Sequence, residues 1–70
     1  MNTYEQYIEE LWSYMIQHPY QRFGQACFNT LYLHDSDYAE NLRGMEIDPF
    51  YTESSKVIVA FLNDVESYYN

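Results

Sequence analysis

Asp35, Asp37 and Glu46 fall at the first, third and twelfth positions of a calcium-binding helix–loop–helix frame. Carboxylates at that spacing suit a hard cation with oxygen ligands. The frame fails between them. Ala39 stands at the fifth position, where a ligand is needed, and Glu40 at the sixth, where the loop turns on a glycine. These acids suit helix capping better, with Asp35 or Ser36 heading a short helix. Cys27 and His34 form the other pair with reactive side chains. Two helical turns put them on one side of a helix but about 10 Å apart, beyond the reach of a base taking a thiol proton. No glycine-rich elbow accompanies them, so Cys27 reads as a small buried apolar residue. His18, ahead of Pro19, reads as a helix-end residue. Carboxylates are plentiful, but nothing builds the cleft that would raise a pKa for acid–base work. The sequence thus predicts no enzyme, no metal site and no cofactor.

The elements that must position these groups come from a chain of 70 residues. At that length only about 60% of the unfolded surface is buried, so the core is thin and a pocket of enzyme size is hard to build. A single cysteine excludes an internal disulfide and fits a reducing compartment. Dense aromatic packing or a partner must supply the missing stability. "MNTYEQYIEELW" has no basic segment followed by an apolar run, and no stretch approaches a membrane-spanning length. The expectation is a cytoplasmic protein without a membrane partner. Eleven acids against three bases give a formal charge of −8. That excludes direct nucleic-acid binding, which needs Lys and Arg against phosphates, and favours a basic protein surface as partner. Nine tyrosines add large amphipathic contact area, although some must simply cap a small core with their hydroxyls in water.

Periodicity predicts an all-α fold: a compact array of three longer helices and one short helix, in a single domain over 1–70. Thr3 N-caps the first helix, and Gln6 completes a capping box. Ile8, Leu11, Trp12 and Met15 form its apolar stripe, with Glu5, Glu9 and Glu10 off it. Pro19 pushes His18 out of the α region and so ends that helix near Gln17. Pro19 also suits the first turn of the second helix. That helix carries Phe23, Cys27 and Leu31 along one line, with Phe28 and Tyr32 beside it. Gly24 sits within it, where it allows another helix to approach. "DYAENLR" is the short third helix, ended by Gly44 in a left-handed turn. The last helix begins around Thr52 to Ser55 and runs toward Tyr68. Although "KVIVAF" is rich in β-branched residues, Val57, Ile58, Phe61, Leu62 and Val65 are helically spaced.

"LRGMEIDPFY" reads as a structural corner: Gly44 turns the chain, Arg43 ties nearby carboxylates or carbonyls, and Pro49 stiffens the loop. Phe50 and Tyr51 then fold back onto the core. Gln25 and Asn29, one helical turn apart, could bond the loop backbone around Asp48.

Arg22, Gly24, Gln25, Phe28, Asn29, Leu31 and Tyr32 spell R-x-G-Q-x-x-F-N-x-L-Y. Ala39, Leu42, Arg43 and Gly44 then give A-x-x-L-R-G. Asp48, Pro49, Phe50 and Tyr51 give D-P-F-Y, and Phe61 and Leu62 close the pattern. Over residues 20 to 62 the chain resembles a family of small acidic, uncharacterised phage and prophage proteins. Met45 departs from the small hydroxyl residue of that pattern. The resemblance implies a context and no catalytic residue: a mobile-element accessory protein in the cytoplasm of a bacterial host.

The leading functional expectation is an inhibitor that binds a host defence or repair protein through its basic surface, with carboxylates standing in for phosphates as a DNA mimic does. Glu5, Glu9, Glu10, Asp35, Asp37, Glu40, Asp64 and Glu66 are the candidate acids. Tyr7, Tyr14, Tyr38, Tyr68 and Tyr69 are the candidate anchors. The alternatives are a structural homodimer and an adaptor of phage machinery, each without an inhibitory target.

Overall fold

The described residues form four helices: α1 (Tyr4–Gln17), α2 (Phe23–His34), α3 (Ser36–Leu42) and α4 (Ser55–Tyr69). This is the expected all-α array of three longer helices and one short one. The computed structural model describes residues 3–70; residues 1 and 2, included in the expected 1–70 domain, lie outside the described residues. The helices form one globule measuring 27 × 27 × 19 Å, in which α1 packs on α2 and α4, and α2 on α3.

Thr3 caps α1 as expected. Its backbone is extended and its hydroxyl accepts the Gln6 N–H at 3.1 Å, satisfying one of the helix's orphan donors. The helix stops at Gln17 because Pro19 holds His18 outside the α region. The buried face differs from the expected stripe. Tyr7 and Leu11 are fully covered, flanked by Tyr4, Ile8, Tyr14 and Met15, while Trp12 is 62% exposed. The face is rotated by roughly 60° from the expected one, at 100° per residue. The reason is that tyrosine rings contribute the buried volume. Tyr7 reaches across to α2 and donates its hydroxyl to the Cys27 carbonyl at 2.8 Å, so a polar group enters the core with its hydrogen bond made.

The second helix starts at Phe23, not at Pro19 as the proline suggested. Residues 19–22 turn first, with Gln21 N–H donating to the His18 carbonyl at 3.1 Å and Arg22 in extended conformation. Ala26, Cys27, Phe28 and Leu31 are buried; Phe23 and Tyr32, at the ends of the expected apolar lines, are about two-fifths exposed. Thr30 is buried too, and donates to the Ala26 carbonyl at 2.8 Å. Gly24 does serve a close approach, but what approaches is a loop and not a helix. A Cβ there would lie 2.3 Å from the Pro49 carbonyl oxygen and 3.2 Å from that of Thr52.

The corner at residues 42–51 closes on itself. Gly44 adopts φ +79°, the left-handed region an L side chain avoids. The Asp48 carboxylate accepts the Gly44 N–H at 2.7 Å and the Phe50 N–H at 3.0 Å. This side chain therefore does the work expected of Gln25 and Asn29. Asn29 instead donates to Gln21 Oε1 at 3.3 Å. Pro49 is fully buried and Phe50 meets the Phe28 ring edge-on at 5.8 Å. Tyr51 does not fold back; it is 85% exposed. Arg43 holds Glu40 through two hydrogen bonds of 3.0 and 3.1 Å, with its guanidinium 5.1 Å from the Phe28 ring centre. Arg22 donates to the Phe50 carbonyl at 3.1 Å. From the corner, α4 enters the core with Ile58, Phe61 and Val65, so helical spacing overrode the β-branched run.

Candidate interaction surface

Two aspartates and two tyrosines tie α3 to α4. On α3, Asp35 caps the helix by accepting the Tyr38 N–H at 3.2 Å. This places Tyr38 one turn further along. On α4, Asp64 and Tyr68 are separated by four positions and so share a face. Each tyrosine then crosses to the other helix's acid. Tyr68 donates its hydroxyl to Asp35 at 2.9 Å, and Tyr38 donates to Asp64. Between these bonds the two rings stack face to face, 3.7 Å between centroids and 11° from parallel. Tyr69 packs edge-on against Tyr68 at 5.0 Å.

The electrostatics of this lattice are one-sided. Burial and the adjoining Asp64 carboxylate push the Tyr38 phenol above its ordinary value. Hydrogen bonding to Asp35 does the same at Tyr68, and burial does so at Tyr69. The phenols therefore stay neutral at physiological pH, Tyr38 and Tyr68 as donors to carboxylates, whereas the buried Tyr69 hydroxyl meets no hydrogen-bond partner. A neutral donor orients a carboxylate without cancelling its charge. Glu66, two positions from both Asp64 and Tyr68 and so on another face of α4, instead acts on Tyr4 of α1, where after burial its charge is the next influence raising the phenol. Asp37 likewise acts on Tyr68. The result is an anionic aromatic face in which Asp64 and Tyr68 are exposed and Asp35, Tyr38 and Tyr69 half-buried.

The other expected contact residues scatter. Glu40 is engaged by Arg43, and Glu10 lies 3.3 Å from His34 Nε2, an ion pair when that imidazole is protonated. Glu5 and Glu9 are exposed on α1, and among the described residues no cation lies within ion-pair distance of them, of Asp37 or of Glu66. Tyr7 cannot anchor a partner: it is fully buried, and its volume belongs to the core. Tyr14 is half-buried and stacks on His18 at 4.1 Å. Together with Asn29, Tyr32 and Leu33 they line a shallow depression of about 270 Å³.

Cys27 is enclosed, and burial pushes its thiol up to about 12, so it carries little thiolate at neutral pH. Among the described residues no group of three or more His, Cys, Asp or Glu side chains could hold a metal ion, and no helix is long and apolar enough to cross a membrane. Sequence reasoning missed the exposed apolar residues. Ile16 is 77% exposed and Leu33 69%. Ile16 was legible as the residue one turn beyond Trp12. No protein-family model, curated protein or solved structure matches the chain.

Proposed function

We propose that this chain is a protein-binding module that inhibits its target by covering a basic surface with the α3–α4 face. The crossed Asp35–Tyr68 and Asp64–Tyr38 hydrogen bonds carry the reading. They fix two carboxylates and two rings before any partner arrives, so little side-chain freedom remains to be lost on binding. Asp37 adds charge beside the lattice, and a net charge of −8 steers a cationic partner toward it. Tyrosine supplies contact area with a polar rim, as protein interfaces favour. The phage-family resemblance supports a host defence or repair protein as the target, and DNA mimicry as the form of the inhibition.

The test is capture from bacterial lysate with the wild-type chain and with a D35N/D64N variant as baits. The expected result is one basic protein, recovered by the wild type and weakened about tenfold or more by the variant. Its affinity should fall between low and moderate salt. Equal capture by both baits would refute the assignment of this face, and salt-independent binding would refute charge mimicry. A second reading, a structural homodimer or adaptor, draws on the exposed Leu33 and Val59 side chains. Sedimentation at micromolar concentration separates it, because a homodimer that needs those residues dissociates in L33E.

A further inference from the structure

The outer face of α1 carries a second pattern. Glu5, Glu9, Trp12 and Ile16 follow one another at intervals of four, three and four, a single line along the helix. They lie opposite the core face made by Tyr4, Tyr7 and Leu11. The line is divided: both acids stand at its N-terminal end and both apolar residues at its C-terminal end. Trp12 is 62% exposed and Ile16 is 77% exposed. Between Glu5 and Ile16 the stripe is about 16 Å long, three helical turns. Tyr4–Gln17 contains no Lys or Arg, so its acids have no cation on their own helix.

We propose that this stripe docks a basic amphipathic helix of a partner protein. Charge and order along the stripe choose the occupant. A second copy packed antiparallel would set Glu5 and Glu9 over the partner copy's Ile16 and Trp12, desolvating carboxylates without a cation. Packed parallel, it would set carboxylate against carboxylate. Neither arrangement is complementary. A helix with Lys or Arg opposite Glu5 and Glu9 and aliphatic residues opposite Trp12 and Ile16 satisfies all four positions. Antiparallel docking would also put its basic residues near its own C-terminus, where a helix favours cations. The apolar half supplies affinity, and the acidic half sets register and direction. The inference rests on the reading of the chain as a binder of basic proteins, but it names a separate surface.

Trp12 is the single tryptophan, so its fluorescence reports this face alone. The probe is a synthetic alanine-rich peptide of roughly 18 residues, long enough for partial helicity on its own. It carries two Leu one turn apart, then two Lys one turn apart in its C-terminal half, and no aromatic residue. Titration into the intact chain should move Trp12 emission to shorter wavelength, saturably. I16E and E5Q/E9Q should each weaken that binding about tenfold or more. A peptide of the same composition with the pattern scrambled should bind at least tenfold more weakly. D35N/D64N should leave the titration unchanged, which separates this surface from the α3–α4 face. Absence of an emission shift, equal binding of the scrambled peptide, or insensitivity to both I16E and E5Q/E9Q would overturn the proposal. So would a wild-type dimer whose Trp12 emission is already at short wavelength and moves red on dilution.

Discussion

Tyr7 and Tyr68 are the same side chain used in opposite ways at two places in one small molecule. Tyr7 is wholly enclosed between α1 and α2, and its hydroxyl is spent on the Cys27 carbonyl. Tyr68 is 52% exposed, stacks on Tyr38 and spends its hydroxyl on a carboxylate. The first contributes volume to the interior. The second contributes shape and direction to a surface. A chain this rich in tyrosine can therefore build a thin core and an interaction face from one residue type, and position alone decides which.

The contrast can be broken most severely at Tyr7. Tyr7→Ala should lower unfolding free energy by about 3–5 kcal/mol, as loss of a buried aromatic does, and urea denaturation would measure it. Tyr68→Ala should leave a folded protein in the same experiment, with a far smaller change. Equal losses would abolish the distinction between interior and surface tyrosines.

Gly24→Ala comes next, at about 1–3 kcal/mol, because its methyl group must displace the Pro49 carbonyl. It should loosen the 44–54 loop while sparing the α3–α4 lattice. Faster amide exchange at Phe50 than at Tyr38 would read this out. Tyr7→Phe retains the ring and should cost about 1 kcal/mol, the net worth of one hydrogen bond.

Alkaline titration sharpens the same contrast. Burial raises Tyr7 and Cys27 above their ordinary values of 10.0 and 9.0, so the folded chain holds protons that the unfolded chain releases. The stability they contribute is fully present below pH 9 and is lost progressively above it. Circular dichroism should therefore show alkaline unfolding. Tyr7→Phe should flatten the pH dependence above 10 more than Tyr68→Phe does. The reverse order would mean that the surface phenol, not the enclosed one, couples to folding.

Much of the fold was legible because local chemistry agreed with tertiary packing. Thr3, Pro19, Asp35 and Gly44 each mark a boundary through a backbone requirement that does not depend on distant residues. The errors lie where packing decides. Trp12 is the more hydrophobic choice for a core, yet Tyr7 occupies it and meets the Cys27 carbonyl across the helix pair. Pro19 permits a helix start but does not compel one, and the chain turns until Arg22 before α2 begins. Gly24 announced a close approach without saying of what, since its neighbour comes from residues 49–52. Among the site residues, Asp35, Tyr38, Asp64 and Tyr68 were named singly. Their crossed pairing depends on how α3 meets α4, which no spacing within either helix specifies.

The brevity of α3 has a consequence of its own. Seven residues are too few to hold a helix in isolation. Excised peptides spanning Asp35 and Tyr38 would therefore lose the lattice, and grafting onto another scaffold would require the neighbouring α4 surface as well. Any target that grips Asp35 and Tyr68 together would also staple the globule shut, so occupancy would register as a higher melting temperature.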